Sequence, residues 1–307
     1  MTGKKSIPGL TGIDLQREGV SIARVVREPG RRPAVTLCDF RPWDGTDDRL
    51  QLIERIAADF ELGQTRCTTP LAEGEYAMLL TEAPDVAPDE LKRAIRWRVK
   101  DLIDFHINDA TLDVFDVPGD NVPGRARAMY AVAARNDAIQ QRVDLLDAAG
   151  INLDVIDIAE MAQRNLASLL PEDANGVVML ALNANSGLIT ITKQGEIYLS
   201  RNIDMGLDVL TGHDVAGYFD RIVLEVQRSL DYYDSHFRQS PIGKLFLAPM
   251  ATTVAGMAEH LNANLDLEVS MMKLEELLGY DVQIPAPLEA RCLTAIGAAL
   301  RQETTAL

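Results

Sequence analysis

The chain has 307 residues, about twice the length of a typical single domain of roughly 150 residues, which favours two lobes or two domains. Its apolar fraction of 47% and charged fraction of 25% are typical of globular proteins and exclude disordered and fibrous classes. The formal net charge of −16 repels phosphate backbones and anionic lipids, so nucleic-acid binding is excluded as the main function.

The first half of the chain predicts strands and helices in alternation. The predicted elements are strands at Thr11–Leu15, Val20–Arg27 and Ala34–Phe40, a helix at Asp47–Phe60, a strand at Tyr76–Thr81, a helix from Pro88 to Ile103, strands at Thr111–Val117 and Arg127–Ala134, a helix at Asp137–Ala149, a strand at Leu153–Ile156 and a helix at Ala159–Leu170. This alternation is typical of the α/β class.

The second half repeats the first in outline. Its predicted elements are strands at Val177–Leu182, Leu188–Thr192 and Glu196–Asn202, a helix at His213–Phe237, a strand at Lys244–Ala248, and helices at Thr252–Asn262 and Arg291–Gln302. Each half begins with a meander of strands and continues into helices and further strands. This shared pattern indicates a duplication, and the turn-rich segment Pro171–Gly176 is the predicted boundary.

The cysteines and the apolar segments predict a cytoplasmic protein that does not insert into a membrane. Cys38, Cys67 and Cys292 are odd in number and far apart, which favours neither a disulfide framework nor a zinc site. The N-terminal residues lack an apolar segment of signal-peptide length. The longest uncharged stretch, Ala174–Thr192, contains several asparagines and glycines, and we therefore interpret it as two strands.

A motif search predicts no catalytic residue and no metal site. The chain contains no phosphate-binding GxxxxGK loop, no dinucleotide-binding GxGxxG, no GxSxG turn and no HExxH pair. The histidines His106, His213, His236 and His260 stand apart from one another in the sequence, and we expect surface or packing roles for them.

One predicted helix is unusually basic for so acidic a chain. It carries the basic side chains Lys92, Arg93, Arg96, Arg98 and Lys100 around Trp97. One interpretation is a solvated helix face whose charge is balanced by neighbouring aspartates and glutamates. The other is a docking face for an acidic or juxtamembrane partner, with the tryptophan as its anchor.

Several segments, in one order along nearly the whole chain, resemble PilM-like pilus-assembly proteins of the actin-like ATPase fold. They are Gly12-Ile13-Asp14, 91–97, 104–109, 131–135, 143–151, 194–203, 226–233 and 295–301. The resemblance implies a two-lobed, duplicated ribonuclease H-like α/β fold, with lobe one at 1–172, a small inserted subdomain at about 76–135, and lobe two at 173–307. It also implies a cytoplasmic component of a type IV pilus platform, peripheral to the inner membrane, that grips the cytoplasmic tail of a PilN-like membrane protein.

The same resemblance implies a nucleotide cleft between the lobes, but the chain departs from the family at three segments. Gln16 replaces a glycine in the first phosphate loop, and Glu18 adds a negative charge there. The second phosphate turn reads Ala181–Ala184, without the family's aspartate and glycine, and the adenosine-side turn Leu247–Met250 contains a proline. Asp14 is the remaining match to the nucleotide site.

We therefore expect a non-catalytic scaffold that needs no cofactor. Its partners are the PilN-like protein and an assembly ATPase. The predicted partner groove is formed by the helix Glu90–Ile103 and the segment Asp104–Asp109, with contacts from the residues Arg93, Arg96, Trp97, Lys100 and Phe105. The first alternative is a nucleotide-responsive ATPase that binds ATP and magnesium through rearranged loops. A small-molecule kinase shares only the fold and ranks last, because no catalytic base stands beside a phosphate loop.

Overall fold

The computed structural model describes residues 6–43, 45, 48–118, 127–212, 215–237 and 239–303. Two predicted helix starts, Asp47 and His213, lie outside these residues. The first part of the chain forms β1 (Leu10–Leu15), β2 (Gly19–Val26), β3 (Ala34–Pro42), α1 (Arg49–Asp59), β4 (Arg66–Pro70), β5 (Tyr76–Glu82), α2 (Pro88–Val99), β6 (Ala110–Asp116), β7 (Ala128–Arg135), α3 (Asn136–Ala148), β8 (Leu153–Asp157) and α4 (Ala159–Ala167).

The second part has the same plan and ends in short helices. It forms β9 (Val177–Leu182), β10 (Gly187–Lys193), β11 (Glu196–Ile203), α5 (Leu207–Leu210), α6 (Ala216–Phe237), β12 (Lys244–Leu247), α7 (Met257–Asn264), β13 (Glu268–Met271), α8 (Leu274–Leu277), β14 (Gly279–Tyr280), α9 (Ala286–Arg291) and α10 (Leu293–Ala299). The strands of the described residues form three sheets, in the orders β14-β3-β2-β1-β4-β8, β11-β10-β9-β12-β13 and β5-β7-β6.

The two larger sheets share one construction. In each, three strands form an antiparallel meander, and further strands add in parallel to the first strand of the meander. In β2, Val20 and Ile22 pack toward α1 and α3, while Ala23 and Val25 pack toward α10 on the opposite face. This alternation buries both faces of the sheet, as the α/β pattern of the sequence predicts.

Strand β4 was not predicted, although it lies inside the first sheet between β1 and β8. Its sequence, Arg-Cys-Thr-Thr-Pro, contains no valine, isoleucine or aromatic residue, and it ends in a proline. Thr68 and Thr69 are nevertheless completely buried. The strand β13 was also not predicted, because its four residues are too few to show an alternating pattern.

The small sheet lies within the chain segment that separates β4 from β8. On one face it packs against α2, where Ile95 and Val99 contact a cluster around Ala131. On the other face Tyr130 packs against the second lobe, and its hydroxyl donates a hydrogen bond to the Tyr198 carbonyl over 3.3 Å. Contacts on both faces fix the position of this inserted sheet.

Helix α2 ends at Val99, four residues before the predicted end at Ile103. The prediction extended an apolar stripe through Leu102, but this side chain is 60% exposed. After the helix ends, the guanidinium of Arg96 donates a hydrogen bond to the carbonyl of Ile107. This contact holds the segment that follows the helix against it.

The C-terminal segment, which the sequence predicted within lobe two, packs on the first sheet instead. Strand β14 pairs with β3, and α10 packs on α4, β1 and β2. The predicted helix Arg291–Gln302 corresponds to α10, which ends at Ala299, and a separate short helix, α9, ends just before it at Arg291. An apolar helix face shows that a helix is buried but not which sheet it covers, so the pattern could not predict this placement.

Two glycines allow α10 to approach this closely. A Cβ atom on Gly12 would lie 2.0 Å from the Ala295 carbonyl oxygen, and one on Gly297 would lie 2.3 Å from that of Ala162. Such distances are far below van der Waals contact, so a side chain at either position forces the backbones apart.

We expect the substitution Gly297→Ala to lower the free energy of unfolding by about 2 kcal/mol or more, because α10 and α4 must separate to admit the methyl group. Gly217→Ala is the matched control, since Gly217 also lies in a helix but its Cβ would meet no atom within 4 Å. This control should change stability by at most about 1 kcal/mol, in the stabilising direction. Urea unfolding measures both, and equal stabilities would contradict the packing described.

Candidate functional site

A cleft of about 980 Å³ opens between the two larger sheets. The β1–β2 turn, the loop after β4, the start of α4, the β9–β10 turn and the loop after β12 line it. The three segments that depart from the family pattern therefore meet around one cavity. Its volume is at the upper end of the range for small-molecule sites.

The β1–β2 turn is held by the side chain of Gln16. The Gln16 amide donates to the Asp14 carboxylate over 2.8 Å and lies 2.9 Å from the Arg291 carbonyl oxygen, 275 residues away. The indole of Trp43 donates to the Gln16 carbonyl over 2.9 Å. Burial raises the pKa of Asp14, and the hydrogen bond from Gln16 opposes that rise. Asp14, the predicted nucleotide residue, therefore lies in the cleft with Gln16 as its hydrogen-bond partner.

The β9–β10 turn faces Gln16 across the cleft, and two of its carbonyl groups accept hydrogen bonds from backbone amides of the same protein. The backbone amides of Leu207 and Asp208 donate to the Asn183 and Ala184 carbonyls over 2.8 and 2.9 Å. A Cβ atom on Gly206 would lie 2.3 Å from the Ala184 oxygen, so this glycine is required for the close approach. The turn is therefore anchored to the start of α5.

The loop after β12 brings apolar side chains to the cleft. Pro249 and Ala251 line it, together with the hydroxyl-bearing Thr252. Met250 packs instead against the core of the second lobe. The proline offers no backbone N–H to a ligand at this point.

The start of α4 contributes the most deeply buried carboxylate of the cleft lining. Glu160 is 2% exposed, and the hydroxyl of Tyr76 donates to it over 2.6 Å. Burial raises the pKa of Glu160, the hydrogen bond from Tyr76 lowers it, and the nearby carboxylates of Asp157 and Glu73 raise it further. The sequence analysis missed this residue, because a glutamate in the first turn of a helix is commonly a solvated capping residue.

Carboxylates outnumber cationic groups in the cleft lining. Among the described residues the acidic side chains are Asp14, Glu18, Glu73, Glu160 and Asp208, and the basic ones are Arg17 and Arg291. The Arg291 guanidinium lies 4.8 Å from the ring centre of Phe40, where it makes a cation–π contact. The electrostatic field of the cleft is therefore negative.

The predicted partner face on α2 is largely neutralised by local contacts. Arg93 pairs with Glu90 over 2.8 Å, and Lys92 pairs with Asp113 over the same distance. The guanidinium of Arg96 donates a hydrogen bond to the Ile107 carbonyl, and this contact gives the side chain a structural role. The predicted partner face on α2 thus offers less unpaired positive charge than its sequence suggests.

The aromatic residues of this face differ in exposure. Trp97 is 69% exposed, and the ammonium group of Lys100 lies 5.1 Å from its ring centre. Phe105 is partly buried beneath the Arg135 guanidinium, 4.4 Å from its ring centre. Leu102, in the turn that follows α2, is a second large exposed apolar residue of this region.

The described residues contain neither a cluster of metal ligands nor a membrane-spanning helix. Within the described ranges no group of three or more histidine, cysteine, aspartate or glutamate side chains is arranged to hold a metal ion. His260 pairs with Asp220 and His236 stacks on Tyr232, while His213 lies outside the described residues. None of the helices in the described part of the chain is long and apolar enough to cross a membrane.

Comparison with solved structures identifies the fold. The "PilM-PilN type IV pilus biogenesis complex" matches with a TM-score of 0.74 and 17% identity, over 96% of this chain and 99% of that chain. The cytoplasmic domain of EpsL, an inner membrane component of the type II secretion system of Vibrio cholerae, matches at 0.53 and 13% identity over 96% of both chains. A Bacteroides thetaiotaomicron protein described as having an actin-like ATPase fold and unknown function matches at 0.50 and 8%, over 95% of this chain and 98% of that one.

The chain therefore has the two-lobed actin-like ATPase fold, which confirms the fold class expected from the sequence. The family described as "Type IV pilus assembly protein PilM" matches residues 80–220, from the inserted sheet to the start of α6. A comparison with curated proteins found no match. In sequence and in fold, then, the chain is similar to PilM.

We expect the substitution Glu160→Gln to flatten the pH dependence of stability. The folded pKa of Glu160 lies above its unfolded value, so wild-type stability falls as the pH rises from about 4.5 through the folded pKa. The amide of the variant does not ionise and can still accept the Tyr76 hydrogen bond. The free energy of unfolding of the variant minus that of the wild type should therefore grow with pH. Its total growth is about 1.4 kcal/mol for each unit by which the folded pKa of Glu160 exceeds the unfolded pKa.

Urea unfolding between pH 4.5 and 8 measures this difference. The control Glu54→Gln removes an exposed carboxylate on α1 and should give a difference that changes little with pH. If the stability difference between Glu160→Gln and wild type does not change with pH, the raised pKa of Glu160 is contradicted.

Proposed function

We propose that this protein is a non-catalytic scaffold of a type IV pilus inner-membrane platform that binds the cytoplasmic tail of a PilN-like membrane protein. The observation that carries the proposal is the combination of a fold shared with PilM over almost the whole chain and a cleft whose phosphate-facing segments have changed. The family match at residues 80–220 supports the same assignment.

We infer further that the platform is of the mannose-sensitive haemagglutinin (MSHA) type. The segments that resemble the PilM-like family, taken together along nearly the whole chain, are similar to MshI, the PilM-like protein of that pilus system. In this role the protein would lie in the cytoplasm and be held at the inner membrane through its partner, with an assembly ATPase as a second partner.

The groups around the cleft do not fit a magnesium-bound nucleotide. The Asp14 carboxylate, the remaining match to the nucleotide site, already accepts a hydrogen bond from Gln16. Phosphate loops present backbone N–H groups, whereas here the bulky Gln16 and Pro249 stand at two of the three segments. Five carboxylates against two guanidiniums also repel a triphosphate. No phosphoryl-transfer step follows from this arrangement.

The alternative function is a nucleotide-responsive ATPase of the same machinery. The size of the cleft favours it, because about 980 Å³ would accommodate a nucleotide. In that case ATP and magnesium would be held by rearranged contacts rather than by the three segments as they stand.

Calorimetric titration with Mg-ATP separates these two functions. We expect no binding tighter than a Kd of about 100 µM, because the cleft lacks a phosphate cradle and is negatively charged. A thermal melt provides an independent readout, since a ligand at 100 times its Kd stabilises a protein by about 2.7 kcal/mol. Micromolar binding, or clear stabilisation by millimolar ATP, would refute the scaffold proposal and favour the ATPase.

The partner face that we propose centres on Trp97, Leu102 and Lys100. Residues 85–109 carry five basic and six acidic side chains, so their net charge does not attract an anionic membrane. An exposed tryptophan is typical of the residues that contribute most of the binding energy at a protein interface. A peptide tail is therefore the better occupant, and Arg93 would contribute at the rim.

We expect Trp97→Ala to weaken binding of the synthetic cytoplasmic tail of the PilN-like protein by about tenfold or more, because it removes the largest exposed contact of the face. Lys100→Glu should weaken binding less, by roughly threefold, since rim charges contribute modestly. Fluorescence anisotropy of the labelled tail measures both effects.

Two matched controls lie far from this face in sequence. Leu224→Ala truncates a 44% exposed apolar residue on α6, and Arg31→Glu reverses a charge in the β2–β3 loop. Both should leave tail binding unchanged. Equal affinities for Trp97→Ala and wild type would move the partner site away from α2.

A further inference from the structure

A second groove, of about 370 Å³, lies beside β8, where the first sheet ends. Helix α3 forms one wall and β8 the other. Its apolar lining consists of Val143, Ile151, Leu153, Val155 and Ile156. In the part of the chain that the structure describes, no strand pairs with the outer edge of β8.

The rim of this groove is acidic. The charged side chains on the exposed face of α3 are Asp137, Asp144 and Asp147, and the last of these lines the groove. The arginine of α3, Arg142, is 6% exposed and points inward, where it pairs with Glu75 over 2.7 Å. The exposed face of α3 therefore presents negative charge with no basic side chain of its own helix to neutralise it.

The strand edge itself is only partly open. The pairing of β4 with β8 shifts register next to Cys67, and Asp154 at that irregularity accepts a hydrogen bond from Arg66 over 2.9 Å. Bulges and charges of this kind limit pairing with further strands. A ligand could therefore add backbone hydrogen bonds only beside Val155 and Ile156, and side-chain contacts must supply most of its affinity.

We propose that this α3–β8 groove docks an extended segment of a partner protein in which lysine or arginine alternates with aliphatic residues. Successive side chains of an extended chain point to opposite sides. One set would therefore enter the apolar lining while the other faces the Asp147 carboxylate and the negatively charged face of α3. An acidic or purely polar segment would lose one of these two contacts. The site is separate from the α2 face and does not depend on the proposed function.

The test uses a labelled nine-residue peptide of alternating lysine and valine, with fluorescence anisotropy as the readout. A lysine–serine peptide lacks the apolar side, and a glutamate–valine peptide lacks the positive charge. We expect the lysine–valine peptide to bind at least tenfold more tightly than either. Equal binding of the lysine–serine peptide would reduce the interaction to charge attraction and overturn the proposal, as would no binding at all.

Charge reversal on α3 locates the site. Asp147→Lys should weaken binding of the lysine–valine peptide by about tenfold, whereas the matched control Asp137→Lys, on the same helix but outside the groove lining, should weaken it less than about threefold. Equal effects of both substitutions would overturn the proposal. As a measurement independent of any variant, amide NMR shifts of the wild-type protein should change at residues 153–157, and shifts confined to other regions would also overturn it.

Discussion

The arrangement of the molecule depends on the polar side chains of one nine-residue helix, α4. The Gln163 amide lies 3.0 Å from the Met179 carbonyl, 3.2 Å from the Leu188 carbonyl and 3.0 Å from the Thr190 hydroxyl, all in the second sheet. From the same helix, the Asn165 amide donates to the Gly297 carbonyl over 2.9 Å. Buried polar groups are costly when they lose their partners, so these bonds specify one position for α4.

The cleft takes its shape from this helix. Glu160 at the start of α4 accepts a hydrogen bond from β5, and so the inserted sheet is tied to the same element as the second lobe and the C-terminal helix. At the cleft mouth the Ser186 hydroxyl donates to the Glu73 carboxylate over 2.7 Å, which adds a contact between the lobes. The geometry of the cleft is thus specified by contacts within the protein.

The sequence predicted those features that depend on local pattern and missed those that depend on distant contacts. The meander of β9, β10 and β11 was predicted because its apolar residues surround clear turns. The substitution at Gln16 was recognised by resemblance, but its bond to the Arg291 carbonyl was not, because 275 residues separate the two. The basic residues of α2 were recognised from the sequence, whereas the pairing of Lys92 with Asp113 depends on tertiary structure.

The close contact of α10 with the first sheet has a consequence for synthesis of the chain. Ala23 and Val25 are synthesised before their apolar partners Ala295 and Ile296, which lie more than 250 residues further along the chain. This face of the first sheet therefore stays uncovered until α10 has been synthesised. Exposed apolar sheet surface favours aggregation of a nascent chain, so a chaperone that shields this face would act until the ribosome has made α10.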